Sequence, residues 1–465
     1  MIKSIDVKSP YTNEIIDTLP LEDEAAVFAK LKIAHEAFMD KDKWLTKIER
    51  CAILAKLIHI MSSKREDLAR LAASEGGKPL QDSLIEVDRA IQGVKIALHE
   101  VESMKGDMIP MGHTPSSANR LAFTIKEPVG VIFSLSAFNH PLNLIVHQVI
   151  PAVAVGAPVI IKPAKATPLS CINFVKLLQE AGLSEKWCQT ILCENDITSK
   201  LIQDPRVQFL SFVGSAKIGW QLKSLLAPGA HCALEHGGAA PVIVEKDANI
   251  PALIPALLKA GFYHAGQVCV SVQRIYVHET IMDQVSEELV KGAGKLIVGD
   301  PLNIKTEVGP LISIKECDRI EEWVNEAKKK GGEILCGGNR INKELYQPTI
   351  ILSPDDDARV SFKEIFGPVI CLYPYKDRIE AIDKANSLPF SFQASIYSQD
   401  MDIILDSVNR FKADAVMVNE HPAFRVDWMP FGGSEHSGLG KGGIPYSMDD
   451  MTKEKLVVIQ SRTKS

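Results

Sequence analysis

The residues best suited to chemistry in this chain are a cysteine that follows a Gly-Gln turn and an acid that precedes two glycines. The cysteine is Cys269 in Gly266-Gln267-Val268-Cys269, and the acid is Glu235 in Glu235-His236-Gly237-Gly238. A thiol and a carboxylate supply a nucleophile and a base, the minimum for covalent chemistry at an electrophilic carbon. Free cysteines are often buried structural residues, and the chain has nine cysteines. The turn beside Cys269 nevertheless favours a functional role, because catalytic residues concentrate in loops.

Other loop segments carry groups that suit a phosphate or an oxyanion. Phe212-Val213-Gly214-Ser215-Ala216-Lys217-Ile218-Gly219 joins a predicted strand to a predicted helix, where glycines let a phosphate approach backbone N–H groups. Lys162 and Lys165 end another strand and suit a phosphate or ribose hydroxyls. The amide of Asn139 suits a developing oxyanion. Each segment also has a structural interpretation: a tight turn, a surface lysine pair, or a helix N-cap before Pro141.

Patterns of apolar residues predict the elements that position these segments. Helical spacing dominates residues 22–105, and apolar strand-like runs alternate with helical patterns from residue 129 onward. Continuous apolar strands are typical of a parallel sheet that helices cover on both faces. Such a doubly wound sheet binds ligands at the carboxyl ends of its strands. A second α/β run follows Gly238, so we expect two domains that share a cleft.

Composition and charge exclude several classes of function. A net charge of −6 gives no basis for binding nucleic acid or an anionic membrane. The apolar run at residues 142–161 contains His147 and Pro151, which favours a buried helix and strand over a membrane span. The cysteines are scattered without a CxxC pair, which argues against a disulfide framework and a zinc site. With no secretory signal pattern at residues 1–6, we expect a cytoplasmic protein.

Taken together and in order, the segments resemble the aldehyde dehydrogenase superfamily over nearly the whole chain. The matching segments are Phe138-Asn139-His140-Pro141, Lys162-Pro163-Ala164, Phe212-Val213-Gly214-Ser215, Glu235-His236-Gly237-Gly238, Gly266-Gln267-Val268-Cys269, Glu364-Ile365-Phe366-Gly367-Pro368 and Pro430-Phe431-Gly432-Gly433. The resemblance implies NAD(P)-dependent oxidation of a small aldehyde to its carboxylic acid. The reaction would pass through a cysteine thiohemiacetal and a hydrolysed thioester, without a metal.

The resemblance also implies a role for each matching residue. Cys269 is implied as the nucleophile, Asn139 with the Cys269 backbone N–H as the oxyanion hole, and Glu235 as the general base that activates water. The implied cofactor residues are the ribose pair Lys162 and Glu364, Phe366 beside the nicotinamide ribose, the pyrophosphate loop Gly214 and Ser215, and Gly219, which lets the helix pack closely.

Three departures from the family pattern affect cofactor and site. Lys165 stands where many members carry a glutamate, so we expect NADP to be preferred, with NAD as the alternative. His236 replaces the usual leucine and either packs against the sheet or perturbs Glu235. His264 is assigned no role.

Two arginines are candidates for binding an anionic aldehyde tail. They are Arg120 and Arg425, and the arrangement resembles a subgroup that includes lactaldehyde and succinic semialdehyde dehydrogenases. A structural ion pair, either between Arg425 and Asp427 or across the two domains, is the alternative. Because lactaldehyde is neutral, the arginines alone do not require an acidic substrate.

The implied fold is α/β, with a doubly wound cofactor domain, an α/β catalytic domain and a β-ribbon arm. We expect the dinucleotide-binding domain at residues 1–111 and 128–238, the catalytic domain at 239–444, and the arm at 112–127 and 445–465. The arm predicts a homo-oligomer, either a dimer or a tetramer. Two alternatives stay open: a CoA-acylating semialdehyde dehydrogenase, which Glu235 disfavours, and a non-catalytic nucleotide-binding protein on the same scaffold.

Overall fold

The N-terminal part of the protein is a hairpin followed by helices. The computed structural model describes residues 3–461. The hairpin pairs the antiparallel strands β1 (Ser4–Lys8) and β2 (Ile15–Pro20). The helices are α1 (Glu24–Met39), α2 (Lys47–Ser63), α3 (Arg65–Gly76) and α4 (Leu80–Ser103). A capping box begins α2, because the Thr46 hydroxyl accepts from the Glu49 N–H while the Glu49 carboxylate accepts from the Thr46 N–H.

A six-stranded sheet follows these helices in the chain. Its region contains β3 (Met108–Ile109), β4 (Arg120–Pro128), β5 (Val131–Leu135), α5 (Asn143–Val155), β6 (Val159–Lys162), α6 (Leu169–Glu180), β7 (Cys188–Thr190), α7 (Asn195–Gln203), β8 (Val207–Val213), α8 (Ala216–Lys223) and β9 (His231–Glu235). Five of its six strands are parallel, in the order β9-β8-β5-β6-β7. The sixth strand, at residues 438–439, pairs antiparallel with β9. Alternate residues of β5 enter different cores, Ile132 on one face and Val131 and Phe133 on the other. Helices therefore cover both faces, which confirms the predicted doubly wound sheet.

A seven-stranded sheet forms the second α/β unit. The elements from here to the C-terminus are β10 (Ala240–Val244), α9 (Ile250–Phe262), β11 (Val272–His278), α10 (Met282–Ala293), α11 (Ile314–Lys329), β12 (Glu333–Cys336), β13 (Thr349–Leu352), α12 (Arg359–Phe362), β14 (Val369–Tyr375), α13 (Arg378–Asn386), β15 (Phe390–Ser391), β16 (Gln393–Tyr397), α14 (Met401–Arg410), β17 (Ala415–Val418), β18 (Ser434–Glu435), β19 (Gly438–Leu439), α15 (Ile444–Asp450) and β20 (Thr452–Gln460). The sheet order is β12-β13-β14-β11-β10-β16-β17, parallel except at β12. Its strands and helices share one apolar core.

Two smaller sheets remain. One is the antiparallel pair β15-β18, and the other is a ribbon in which β20 and β3 flank β4, with all its pairs antiparallel. This ribbon contains the two segments expected to form the arm, but it begins at Met108, earlier than residue 112. Helix α15 lies within the range expected for the arm, yet it packs on α4 and α5 beside the six-stranded sheet. The domain limits given above therefore stay a proposal.

The apolar run at residues 142–161 forms α5 and then β6, and both elements are buried throughout, as the sequence predicted. Among residues 3–461, none of the helices combines the length and the apolar character that crossing a bilayer requires.

Candidate active site

A cavity of about 580 Å³ lies where the carboxyl ends of β5, β8 and β9 face the loops of the second unit. Eight of the residues selected from the sequence line it: Asn139, Gly214, Ser215, Glu235, Cys269, Glu364, Phe366 and Arg425. Strand ends of a doubly wound sheet are the expected place for such a cleft. The fold therefore brings together side chains that are far apart in the sequence.

The thiol and the carboxylate meet inside this cavity. Cys269 Sγ donates to Glu235 Oε1 across 3.8 Å, a long contact that sulfur permits. Burial and the Glu235 charge raise the pKa of the Cys269 thiol well above its usual range. Burial likewise raises the pKa of Glu235, although the Arg425 charge and the hydrogen bond from Cys269 oppose that rise. The resting pair is a neutral thiol beside a strengthened base, so the carboxylate can take the thiol proton.

An unusual backbone turn presents the thiol. His264, Ala265 and Gly266 have φ values of 50°, 52° and 69°, three successive left-handed residues before the cysteine loop. A Cβ on Gly266 would lie 2.1 Å from the Gly367 carbonyl oxygen, so this position needs glycine. Gln267 holds the turn: its amide donates to the His264 and Pro310 carbonyls at 3.2 Å each.

Asn139 stands next to the same turn. Its Nδ2 atom donates to the Gln267 carbonyl at 2.9 Å, and the residue is buried. The N-cap alternative is not realised, because Glu86 Oε1 accepts from the Leu142 and Asn143 N–H groups at the start of α5. One amide hydrogen thus orients the side chain, and the second is available to an oxyanion beside Cys269.

Strand β9, which ends at Glu235, is clamped by a late segment of the chain. Strand β19 pairs antiparallel with β9, with Gly438 opposite Glu235. The His236 N–H then donates to the Ser437 carbonyl at 2.9 Å. A Cβ on Gly438 would meet the Leu234 carbonyl at 2.3 Å, which explains the glycine. Residues 437–439 therefore fix the strand that carries the Glu235 carboxylate.

Glu364 and Phe366 line the same cavity as Gly214 and Ser215. Glu364 Oε1 is buried and lacks a hydrogen-bond partner among the residues that the structure describes. Burial raises the pKa of Glu364 to about 7. A Cβ on Gly237 would collide with this carboxylate at 1.6 Å. An unpartnered acceptor held against a glycine is suited to the hydroxyl donors of a ribose.

Lys162 and Lys165 lie at and just beyond the end of β6. Lys162 is buried, and burial lowers the pKa of its ammonium group. Lys165 instead makes an exposed ion pair with Glu194 at 2.6 Å. Neither lysine is among the residues that line the cavity in the described range.

His236 packs beneath the helix that begins after Ser215. It is buried, its Nδ1 atom contacts the His436 carbonyl at 2.8 Å, and its ring contacts those of Phe212 and Trp220. A Cβ on Gly219 would lie 1.9 Å from His236 Nε2. The packing interpretation of His236 therefore fits the structure, and Gly219 allows the close approach of α8.

The two arginines selected from the sequence lie in different places. Arg425 lines the cavity and stacks on Phe431, with its guanidinium 3.6 Å from the ring centroid. Arg120 belongs to β4 of the ribbon and donates to the Ser116 and Ala118 carbonyls. Arg120 is therefore not among the residues that line the cavity in the described part of the chain, because its strand β4 belongs to the ribbon.

A second arginine that the sequence did not single out does line the cavity. Arg89, on α4, makes two hydrogen bonds with Asp427, Nη2 to Oδ1 at 2.7 Å and Nε to Oδ2 at 3.1 Å. Asp427 therefore pairs with Arg89 and not with Arg425, contrary to the alternative ion pair. On an amphipathic helix an arginine has no distinguishing pattern, so only the packing of α4 against α5 reveals it.

Comparisons with known proteins agree with this geometry. A family model described as the aldehyde dehydrogenase family matches residues 2–457. A 3-sulfolactaldehyde dehydrogenase from Priestia aryabhattai is 36% identical over 412 residues, which are 88% of this chain and 86% of that protein.

Two solved structures are also similar. Aldehyde dehydrogenase 21 from Physcomitrella patens, in complex with the reaction product succinate, has a TM-score of 0.94 and 34% identity, covering 99% of this chain and 95% of that one. A glyceraldehyde-3-phosphate dehydrogenase from Methanocaldococcus jannaschii complexed with NADP has a TM-score of 0.94 and 34% identity, covering 99% of this chain and 100% of that one.

Proposed function

The chain belongs to the aldehyde dehydrogenase family, and we propose that it oxidises a short aldehyde with an acid tail, with Cys269 as its nucleophile. The observation that carries the proposal is the contact between Cys269 Sγ and Glu235 Oε1 in a cavity that Arg425 also lines. The chain is an oxidoreductase that acts on aldehydes with NAD(P). The roles of individual residues below are part of the proposal.

The reaction begins when Glu235 takes the thiol proton and the sulfur attacks the aldehyde carbon. The carbonyl oxygen becomes an oxyanion, which the second amide hydrogen of Asn139 and the Cys269 backbone N–H stabilise. Because the pKa of Glu235 is raised, its carboxylate is a stronger base than an exposed one. The product of this step is a thiohemiacetal on Cys269.

A bound nicotinamide would supply the acceptor for the hydride of the thiohemiacetal carbon, and loss of that hydride leaves a thioester on Cys269. Glu235 releases the thiol proton to solvent, and its carboxylate then accepts a proton from water as the water oxygen adds to the thioester carbon. The carbon–sulfur bond breaks, the thiolate recovers a proton, and the carboxylic acid leaves. A base this close to the thioester favours water over a thiol acceptor, which argues against the CoA-acylating alternative.

The residues of this chain fit a dinucleotide. Glu364 Oε1 needs a hydrogen-bond donor and finds none among residues 3–461, and ribose hydroxyls would supply it. Lys162, at the end of β6, would contribute a second ribose contact. Gly214 and Ser215 precede α8, where backbone N–H groups favour a pyrophosphate.

We propose that NADP is preferred over NAD, through Lys165. A lysine ammonium favours the 2′-phosphate, and a similar structure is complexed with NADP. Glu194 now holds that ammonium in an exposed ion pair, so the preference should be moderate, because exposed pairs are weak. The Glu194→Gln variant should raise the ratio of NADP to NAD efficiency, and Lys165→Gln should lower it.

We further propose an acid-tailed substrate because Arg89 and Arg425 both face the cavity that holds Cys269. Similar proteins include a 3-sulfolactaldehyde dehydrogenase and an aldehyde dehydrogenase in complex with succinate. Both compounds are short acids, and a guanidinium binds either acid group well.

The test is reduced-nicotinamide formation over succinic semialdehyde, 3-sulfolactaldehyde, lactaldehyde and propanal, with NADP and with NAD. We expect turnover with the acid-tailed aldehydes to exceed turnover with propanal and to vanish in Cys269→Ser. Oxidation that persists in Cys269→Ser would contradict the assignment of the nucleophile. Acyl-CoA formation in place of free acid would support the CoA-acylating alternative.

We also propose a homo-oligomer that forms through the ribbon, in the cytoplasm. Apolar side chains of β4 and β20 are exposed on it, among them Leu121 at 47% and Leu456 at 56%. Exposed apolar edges of this kind favour pairing with a second copy. Light scattering of the Leu456→Lys variant against wild type tests this contact.

A further inference from the structure

A buried carboxylate and a buried histidine contact Arg89 and Arg425, two of the arginines that line the cavity. Asp427 and His147 are 2% and 8% exposed. His147 Nε2 lies 2.8 Å from Asp427 Oδ1, and His147 Nδ1 lies 3.5 Å from Arg425 Nη2. The same Asp427 carboxylate binds Arg89 through both oxygens. One connected set of polar groups therefore links Arg89, Asp427, His147 and Arg425.

The donors and acceptors in this set of groups determine which nitrogen of His147 carries the proton. A carboxylate only accepts and a guanidinium only donates, so the His147 proton must sit on Nε2 and the lone pair on Nδ1. Burial lowers the pKa of His147 to about 4, which keeps the ring neutral at physiological pH. The His147 Nδ1 lone pair thus accepts from Arg425 Nη2 and holds one arm of the guanidinium, while Phe431 supports its face.

The remaining donors of Arg425 are free to bind a ligand. Its Nε atom is buried and has no hydrogen-bond partner in the described part of the chain. An unpartnered buried donor of a charged group is costly, so it calls for an acceptor. A substrate acid group in the cavity would supply that acceptor.

The charges around Arg89 and Arg425 leave no more than one net positive charge. Arg89 and Arg425 face two carboxylates, Asp427, which binds Arg89, and Glu235, which faces Arg425 from the side of Cys269. Arg89 and Arg425 also line a second cavity next to the first. The other charged groups of this second cavity form ion pairs with each other, Lys78 with Glu86 and Lys259 with Asp82. The histidines that face it are His140 and His421, and burial lowers the pKa of both.

We propose that Asp427 and His147 are positioning residues that present Arg425, together with Arg89, as a clamp for an acid tail with one negative charge. The ligand chemistry is a carboxylate or a sulfonate, and a doubly charged phosphate is disfavoured. This inference rests on the proposed oxidation of aldehydes and specifies its substrate class.

Paired variants of His147 test the positioning role. In His147→Gln, the amide can still donate to Asp427 and accept from Arg425, whereas His147→Leu removes both contacts. We expect His147→Leu to raise KM for succinic semialdehyde about tenfold, since a hydrogen bond to a charged group contributes about that much. Efficiency with butanal should change less than about twofold on the same reasoning, and His147→Gln should recover most of the loss.

Equal losses with succinic semialdehyde and butanal, or equal behaviour of the Gln and Leu variants, would overturn the positioning role. Thermal melting shows whether each variant is folded. If His147→Leu does not fold, Asp427→Asn carries the test, because it adds one net positive charge. Its ratio of glyceraldehyde 3-phosphate to succinic semialdehyde efficiency should then rise, and an unchanged ratio would overturn the charge argument.

Comparing the substrates shows whether the acid-tail clamp or the proposed aldehyde oxidation has failed. Wild-type efficiency with succinic semialdehyde and with 3-sulfolactaldehyde distinguishes the carboxylate from the sulfonate. If glyceraldehyde 3-phosphate exceeds both, the single-charge clamp is wrong while aldehyde oxidation stands. If no aldehyde is oxidised but succinate binds in calorimetry and His147→Leu weakens that binding, the clamp stands and the proposed function fails.

Discussion

Replacing Glu235 by glutamine separates its two proposed proton transfers. The amide keeps the shape of the side chain but cannot take the thiol proton or activate water. The pKa of Cys269 lies well above its usual range, so fewer than about one thiol in a hundred is ionised at neutral pH. Without the base, attack must await this small thiolate fraction, and hydrolysis must use unassisted water.

The expected loss follows from these two steps. General-base assistance contributes about 100-fold to 10,000-fold, so kcat of Glu235→Gln should fall by about that range. The variant also removes the negative charge that helps to raise the pKa of Cys269. Its attack step should therefore recover as pH rises, because thiolate forms unaided, while hydrolysis remains slow.

Stopped-flow absorbance of the reduced nicotinamide distinguishes the steps. At pH 9 we expect Glu235→Gln to give a burst of about one equivalent per active site, followed by slow turnover. Glu364→Gln is the matched control, since it removes a different carboxylate of the cavity and should leave hydrolysis intact. The assignment of the base would be refuted if Glu235→Gln turned over at the wild-type rate, or if it gave no burst at any pH.

Three further predictions concern the cofactor and its helix. The cofactor KM should fall as pH rises through about 7, because Glu364, whose pKa is about 7, then becomes a carboxylate that accepts hydrogen bonds from the ribose hydroxyls. Glu364→Gln should abolish this pH dependence of KM in initial-rate titrations. Lys165→Gln should lower the NADP to NAD efficiency ratio, and Glu194→Gln should raise it, with no change in kcat; opposite signs would contradict the phosphate argument. Gly219→Ala should lower the unfolding free energy by about 1–3 kcal/mol through overpacking against His236, and His236→Ala should reduce that cost in denaturant melts if the contact is its cause.

Sequence patterns predicted the elements around the site because apolar runs and glycine turns report local packing. The buried run at residues 142–161 and the strand that ends at Glu235 both have this kind of signal. The segments of Cys269 and Asn139 could be chosen because they follow turns beside strands. The hydrogen bond that links Asn139 to this turn through Gln267 could not be predicted from the sequence, since it depends on three successive left-handed residues.

Charged side chains were predicted less well, because their partners come from distant parts of the chain. Arg89 and Asp427 form a pair across 338 positions, and no local pattern marks either residue. Lys165 was interpreted by its type alone, while Glu194, 29 positions later, shares its charge. Arg120 was misplaced because antiparallel pairing with β20, seen only in the fold, carries its strand into the ribbon.

The pairing of β19 with β9 has a consequence for biosynthesis. Glu235 and its partner Gly438 are joined by a strand contact that spans almost half of the polypeptide. Contacts of such long sequence separation form late in folding, and a growing chain makes its N-terminal units first. A nascent chain can therefore build the six-stranded scaffold before it can hold the carboxylate strand in place. Catalytic competence should appear only after the ribosome has released the last few dozen residues.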